Sequence, residues 1–478
     1  MSLLRKNLIA NYLGVGWLSV LQFLTIPLYL KILGDDAWGL LSIVLTIYVF
    51  IVVIGSGMSQ VLPREIAIRN NSESKEMLWD IAVSFERIFW VTAFLFSAVV
   101  FLLSDTLVRH WIKLGSISYE DALLAFQLLS LQLVIQWPIA CYHGFLLGLN
   151  EHAKLNKIQV FFTTIKHAAC ILSLIFIESS VFVYQVVFLL LSASEILYTK
   201  TASWQLLGAD KNSCKWNAVE MKKVLNFVSG MTFTVLVGGA LVQADKLLLS
   251  GLLPVSSFGY YSVASVLSLA LLQAVYPMTR SAYPIFSDLI KKKQSLIEIN
   301  EKLMKILMAT LLPAAIFISV FSSDILQLWT GNEQLVDEVS IVLSLLVIGT
   351  LINGVYNIPY TVYLASGNSR MPLLINIASL ICIVILLPFL FDMFGIYGAA
   401  SSWMITNLIA VIAGWKWMLN KQYVLKRSLF YFIIVGMMMT LVVMFVKDQV
   451  LGILGMIVVV LLLAVFSGYV LYSIKAKV

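Results

Sequence analysis

The sequence predicts an all-α polytopic membrane protein, and three observations predict it. Of its 478 residues, 60% are hydrophobic and only 12% are charged, whereas soluble globular chains average about 45–50% apolar and about 25% charged. Mean hydropathy is +0.95. Apolar stretches near the roughly 20 residues that a helical crossing requires recur along the whole chain. Lipid offers no partner to free backbone groups, so these stretches must be helices or closed-barrel strands, and they far exceed the barrel strand of about 10 alternating residues. Little chain remains for a soluble domain. That excludes most enzymes of soluble substrates, and it excludes nucleic acid as the explanation of the net charge of +7.

The stretches fall at 8–30, 38–61, 81–103, 122–147, 158–177, 181–199, 225–245, 259–282, 306–322, 339–362, 373–391, 396–415, 429–446 and 451–473, about fourteen spans. The first follows Arg5 and Lys6, is too long for a signal h-region and has no small-x-small cleavage site, so it reads as a retained helix. Assigning the connecting loops alternately to two sides places 24 of the 32 Lys and Arg with 10 acids on one side. The other side holds 5 basic residues with 12 acids, and 3 of each sign lie inside spans. Cytoplasmic loops carry the excess of Lys and Arg. The rich side, with Lys291, Lys292, Lys293, Lys421, Lys426 and Arg427, is therefore expected in the cytoplasm together with both termini. Positive-inside insertion accounts for these clusters; attraction of anionic head groups is the competing explanation.

An offset of about 220 relates the two halves. Trp38-Gly39-Leu40-Leu41-Ser42 matches Phe258-Gly259-Tyr260-Tyr261-Ser262 at 220, Pro63 matches Pro284 and Pro138 matches Pro359 at 221, and Leu149-Asn150 lies near Gly367-Asn368 at 218. The shift maps span 1 onto span 7, six crossings on, so the halves share one orientation. The expected organisation is a six-helix lobe over 1–200, a cytoplasmic linker over 201–224, a second six-helix lobe over 225–420, and spans 13 and 14 over 421–478. The linker carries Trp204, Leu206, Leu207, Trp216 and Met221 among lysines, which suits either an interfacial helix or a solvated loop.

No catalytic constellation is present. HExxH, GxSxG, Walker A and CxxC are absent, and His110, His143, His152 and His167 are dispersed in the sequence. Cys141, Cys170, Cys214 and Cys382 have no metal or disulfide spacing. No cofactor or metal is indicated. The chemistry therefore rests on ionisable residues inside spans, which are costly unless they face a wet cavity or a partner: Glu86, Arg87, Lys166, Glu195, Asp245 and Arg280. Lys166 lies about 12 Å deep at 1.5 Å per residue. It either lines a cavity or pairs neutrally with Glu86 or Glu195. Arg87 and Arg280 lie closer to the inner interface, within reach of snorkelling.

Polar side chains at helical spacing mark inward faces. Asn353, Tyr356, Asn357 and Tyr360 form one stripe in span 10, and Gln273, Tyr276 and Arg280 form another in span 8. Span 1 shows Asn7, Asn11, Gln22 and Thr25, and span 4 shows Gln132 and Gln136. These groups either hydrogen-bond helix to helix, at about 0.6 kcal/mol per contact, or line a hydrated cavity between the lobes. A cavity mixing amides and tyrosines with Lys and Arg suits a ligand that is part sugar and part phosphate, because amides bond hydroxyls and guanidinium forks grip phosphate oxygens. A small-cation carrier would instead use acids, of which Glu86, Glu195 and Asp245 are the candidates for ion coupling.

The segments IPLYLKILGDDAWGLLS, ADKLLLSGLLPVSSFGYYSVAS, YLASGNSR and FGIYGAASSWMITN together resemble the polysaccharide (O-antigen type) flippases of the multidrug/oligosaccharidyl-lipid/polysaccharide exporter superfamily. The resemblance covers essentially the full chain. It implies two six-helix lobes in a V, a central cationic cavity, and export of an undecaprenyl-pyrophosphate-linked glycan, a polysaccharide or lipopolysaccharide O-antigen repeat unit, across the bacterial inner membrane by alternating access. Bilayer lipids and the polysaccharide polymerase and chain-length machinery are the partners it implies. Fourteen spans favour the lipid-linked-sugar branch over the drug exporters, which typically have twelve. Nothing basic occurs between Lys6 and Lys31, a departure from the lipid II branch. Arg87, Lys166 and Arg280 are then the candidates for neutralising pyrophosphate, and two charges moving outward gain about 4–5 kcal/mol from a potential of about 100 mV. The competing functions are a cation-coupled drug exporter and a membrane glycosyltransferase or polymerase; the short outer loops at 104–121 and 323–338 speak against the latter.

Overall fold

The computed structural model describes residues 3–72, 75–208, 218–450 and 452–475. Among the described residues seventeen helices run in chain order: α1 Leu3–Leu33, α2 Asp35–Ser72, α3 Lys75–His110, α4 Tyr119–Gln136, α5 Ile139–Gly148, α6 His152–Phe176, α7 Val181–Leu207, α8 Ala218–Leu252, α9 Val255–Ala270, α10 Leu272–Lys291, α11 Ile297–Ala309, α12 Leu311–Val320, α13 Ser322–Thr330, α14 Glu333–Ala365, α15 Arg370–Asn420, α16 Lys426–Gln449 and α17 Gly452–Lys475. Among the described residues the sole strand-like feature is an isolated bridge between Lys113 and Pro254. The all-α expectation holds.

Twelve described helical stretches are long and apolar enough to cross a membrane. One of them, α15, is 51 residues long and contains Gly395 at φ 57, ψ −141, so it is two helices joined at a kink. With the 35-residue α8 the number reaches fourteen, in the positions expected from the sequence. Three expected spans are each broken in two. Pro138 separates α4 from α5, and α11 ends at Ala309 ahead of Pro313, where the ring lacks an N–H and clashes with the carbonyl four residues back. The break between α9 and α10 falls at Leu271. Helix ends away from the membrane interior use polar caps: Ser180 Oγ accepts from Val183 N at 3.3 Å, and Asn332 Oδ1 accepts from Leu335 N at 2.9 Å, each satisfying a backbone donor that the first turn leaves open.

The described chain divides into two compact units, Met1–Gln243 with Ser250–Gly259, and Ala244–Leu249 with Tyr260–Val478. The division runs through α8. In the first unit α1 and α7 flank α6, α3 and α7 flank α4, and α2 lies on α5. In the second, α14 is central, packed by α10, α12, α13 and α15, while α16 lies on α12 and α17 on α11. Of the expected linker, residues 201–207 continue α7, with Trp204 and Leu207 buried and Trp79 Nε1 donating to the Leu207 carbonyl at 3.0 Å. Residues 209–217, including Trp216, lie outside the described residues.

Outward-facing apolar side chains form continuous stripes. On α3, Val91, Phe94, Leu95 and Leu102 are exposed, Leu102 by 76%. In water such a patch would be an association surface; against hydrocarbon it is the ordinary exterior of a spanning helix.

The sequence repeat has a packing consequence. Gly39 and Gly259, aligned by the offset of 220, touch one another: a Cβ built on Gly259 would meet Gly39 Cα at 2.9 Å, and one built on Gly39 would meet the Val255 carbonyl oxygen at 2.0 Å. Trp38 Nε1 donates to the Gly259 carbonyl at 3.2 Å. The left-handed residues that end α5 and α14 are Asn150 (φ 60) and Gly367 (φ 75), one step from the sequence pairing of 149–150 with 367–368. Asparagine and glycine are the residues that tolerate this conformation.

Candidate functional site

The first unit holds an open cavity of about 390 Å³, lined from α1, α2, α3, α4, α5, α6 and α7. Its polar wall begins on α6, where Gln159, Thr163, Lys166 and His167 stand at i, i+4, i+7 and i+8 and share one helical face. Facing them are Gln136 near the end of α4, His143 on α5, Glu195 on α7 and Tyr48 on α2, with Phe89, Trp137 and Phe188 as aromatic walls.

The centre of the site is an ion pair. Lys166 Nζ lies 2.5 Å from Glu195 Oε2, with the two side chains 8% and 7% exposed, and the ammonium sits 4.9 Å from the centroid of the Phe188 ring. Of the two arrangements open to Lys166 from sequence, it adopts both: it lines a cavity and it is neutrally paired. Removing one member of a buried pair strands the other charge, at about 3–5 kcal/mol. Gln136 Nε2 donates to Ser192 Oγ at 3.2 Å, and the Tyr29 hydroxyl is 2.8 Å from His167 Nδ1. His143 Nε2 is buried with no hydrogen-bond partner among the described residues.

Glu86 is placed elsewhere. The Tyr142 hydroxyl donates to its Oε1 at 2.7 Å, Lys200 Nζ lies 2.7 Å from the same oxygen, and that ammonium stands 5.7 Å from the Trp90 ring and 5.9 Å from the Tyr142 ring. Arg87 and Gln22 are exposed. In the second unit Asp245 is buried, accepting from the Tyr261 hydroxyl at 2.7 Å and paired with Lys246 at 3.4 Å.

The α14 stripe is used for helix contact. Asn353 Nδ2 donates to Asn407 Oδ1 on α15 at 2.6 Å, and Asn357 Nδ2 donates to the Asn353 carbonyl at 2.9 Å. Asn407 Nδ2 donates to the Trp403 carbonyl at 2.8 Å. The Tyr356 and Tyr360 rings stand 6.1 Å apart, and the Tyr356 hydroxyl has no partner among the described residues. Gln273, Tyr276 and Arg280 share an exposed face of α10. The second unit has its own cavity of about 950 Å³ between α12, α14, α15 and α16, almost wholly apolar and lined by residues such as Ile316, Ile348, Val355, Val411, Phe432 and Met444.

The fold therefore gathers Lys166, Glu195 and Gln136 from the sequence candidates, and adds His143, His167, Gln159, Thr163 and Tyr48. Polar periodicity on α6 marks three of the added residues, since Gln159, Thr163 and His167 repeat every four positions through an apolar span. His143 carries no such signal. Among the described residues no group of three or more His, Cys, Asp or Glu could hold a metal ion.

Comparison with known proteins agrees with this architecture. The polysaccharide biosynthesis protein family matches residues 4–290, more than half of the chain, and the MatE family matches 290–390. A protein of Shigella flexneri named "Putative O-antigen transporter" is 24% identical over 421 residues, 86% of this chain and 96% of that protein. Among solved structures, the lipid II flippase MurJ in an inward closed conformation superposes with a TM-score of 0.75 at 14% identity, covering 98% of each chain. An inward-facing multidrug resistance MATE transporter superposes with a TM-score of 0.68 at 15% identity, over 84% of this chain and 94% of that one. The chain belongs to the polysaccharide biosynthesis protein family.

Proposed function

We propose that this protein is a flippase that moves an undecaprenyl-pyrophosphate-linked oligosaccharide, a polysaccharide or O-antigen repeat unit, from the inner to the outer leaflet by alternating access. The observation that carries this reading is the cavity of the first unit, where amide, hydroxyl and imidazole groups alternate with aromatic walls around a charge-neutral pair. That is a surface for sugar hydroxyls and ring faces rather than for a bare cation. A relative named as an O-antigen transporter across 96% of its length supports the same substrate class.

Lys166 is already compensated by Glu195, so the pyrophosphate is assigned chiefly to Arg87 and Arg280, whose side chains are exposed. Each guanidinium can grip phosphate oxygens with two parallel hydrogen bonds. Gln136, Gln159 and Thr163 supply sugar contacts, with Gln22, Gln273, Tyr276, Asn353, Tyr356, Asn357 and Tyr360 as the wider set. The test is transport of a fluorescent lipid-linked oligosaccharide in proteoliposomes with an imposed inside-negative potential. Arg87→Ala and Arg280→Ala are expected to reduce transport about tenfold to a hundredfold, the worth of about 1.5–3 kcal/mol per charged hydrogen-bonding group. Unchanged transport in both variants would remove the arginines from the substrate path.

A cation-coupled exporter is the second reading, favoured by the MatE match at 290–390 and by the buried acids Glu195 and Asp245. It requires that Glu195→Gln, Asp245→Asn or Glu86→Gln abolish transport while Arg87→Ala leaves it intact, and that a cation gradient drive transport with no potential applied.

A further inference from the structure

A second opening of the first unit lies on its outer surface, away from the ion-paired cavity. It is a slot of about 790 Å³ between α1, α6 and α7, within the size range of sites for small ligands. Its polarity is graded along α6. Lys154 and Lys157 stand in the first turns of the helix, on the membrane side that collects 24 of the 32 Lys and Arg. Beyond them the walls are aromatic and apolar, with Phe161 57%, Tyr198 53% and Trp17 45% exposed. Trp17 Nε1 donates to Thr164 Oγ1 at 2.9 Å, joining α1 to α6 at the far end of the slot. From Lys154 to Thr164 is about 15 Å at 1.5 Å per residue, half the thickness of the hydrocarbon.

Positive-inside insertion explains lysines at this end of a helix, but it does not explain an open aromatic slot running from them toward the bilayer centre. Neither lysine pairs with an acid among the described residues. Two cations at the interface above a channel one leaflet deep match one chemistry, a phosphate head group on an acyl chain.

We propose that this slot binds one anionic phospholipid of the inner leaflet, with its phosphate on Lys154 and Lys157 and one acyl chain along Phe161 and Tyr198 down to Trp17. Lipid bound there bridges α1, α6 and α7, three of the helices that wall the ion-paired cavity, and so couples membrane composition to the packing of the transport unit. The proposal does not depend on which substrate the cavity carries.

Native mass spectrometry of the full chain in detergent tests it, with phosphatidylglycerol, phosphatidylethanolamine, undecaprenyl phosphate and inorganic phosphate each offered alone. The expected result is one retained phosphatidylglycerol per chain, weaker retention of phosphatidylethanolamine and none of inorganic phosphate. Retention should fall roughly thirty-fold in Lys154→Gln/Lys157→Gln, two lysines at about 1 kcal/mol each. A second variant, Ile165→Trp, fills the slot while keeping both charges, and should lose the lipid at unchanged melting temperature. Equal retention of both phospholipids, or undiminished phosphatidylglycerol in both variants, overturns the proposal. Stronger retention of undecaprenyl phosphate than of phosphatidylglycerol at the same lysines also overturns it, assigning the slot to the carrier lipid.

Discussion

The two units hold cavities of opposite character. That of the first is small, about 390 Å³, and carries a buried ion pair, two imidazoles and two amides. That of the second is more than twice as large, about 950 Å³, yet is lined almost entirely by Leu, Ile, Val, Phe and Met side chains. Both are framed by apolar helices, so the difference lies in which side chains those helices display, and the second cavity also takes a wall from α16, beyond the repeated part of the chain. On α6 the inward face is polar at 159, 163, 166 and 167. On α14 the amides at 353 and 357 are consumed by one another and by Asn407 on α15, leaving Ile348, Ile352 and Val355 to line the cavity. A polar group in a membrane protein becomes available to a ligand only where its neighbours do not already satisfy it.

That contrast can be broken most strongly at the ion pair. Glu195→Gln or Lys166→Met should each destabilise the first unit by about 3–5 kcal/mol, whereas the double variant Lys166→Met/Glu195→Met should recover most of that loss. Unfolding of the purified protein in detergent, read as a double-mutant cycle, checks it; additive losses would mean that the two charges act independently. A next step is to reverse the character of the second cavity. Val355→Lys should cost about 2.5–3.5 kcal/mol, the insertion cost of an unpaired cation at a helix centre, seen as reduced yield and melting temperature, while Val355→Met should be tolerated.

Smaller effects sharpen the same point. His143→Phe removes a buried nitrogen that has no partner among the described residues, so stability should stay within about 1 kcal/mol while transport of the proposed substrate falls; an equal fall in Leu18→Phe, which lines the same cavity, would show that bulk and not the imidazole matters. Asn353→Ala should be the mildest of the four, about 0.6 kcal/mol for a helix-to-helix hydrogen bond in a membrane, with transport retained if the α14 stripe serves packing alone. Loss of transport in that variant would return Asn353 to the substrate path.

Much of the fold was legible in sequence because its dominant constraint acts locally. A crossing must bury its own backbone hydrogen bonds, so each apolar run of sufficient length is a helix whatever surrounds it. All fourteen runs reappear as helix, and both prolines of the 221 offset that begin with Pro63 lie inside helices. The breaks at Pro138 and Thr310 were harder to place, since Pro359 stands within a continuous α14. The same residue type breaks one repeat and not the other.

The candidate site was legible in part. Lys166 and Glu195 stood out because a charge inside a span is costly enough to require a reason, and its place within an apolar run is read directly from the chain. Their pairing was one of two open possibilities for Lys166, because α6 and α7 meet at a register that the 28 intervening residues do not specify. His143 and His167 lie 24 positions apart and looked dispersed, yet α5 and α6 bring both to one cavity. Tyr48 arrives from α2.

Hydropathy and charge along the chain thus settled the crossings, their number and the imbalance of charge between the loops, since each follows from the free energy of moving a segment between water and lipid. Which polar groups face a cavity, which satisfy one another and which stand in the open is a matter of packing between helices distant in sequence. Apolar side chains that are interchangeable in hydropathy differ in shape, and shape sets the rotation and register at which two helices meet. The folded arrangement is what joined two sequence candidates, Lys166 and Glu195, with two histidines that looked dispersed, His143 and His167, in a single site.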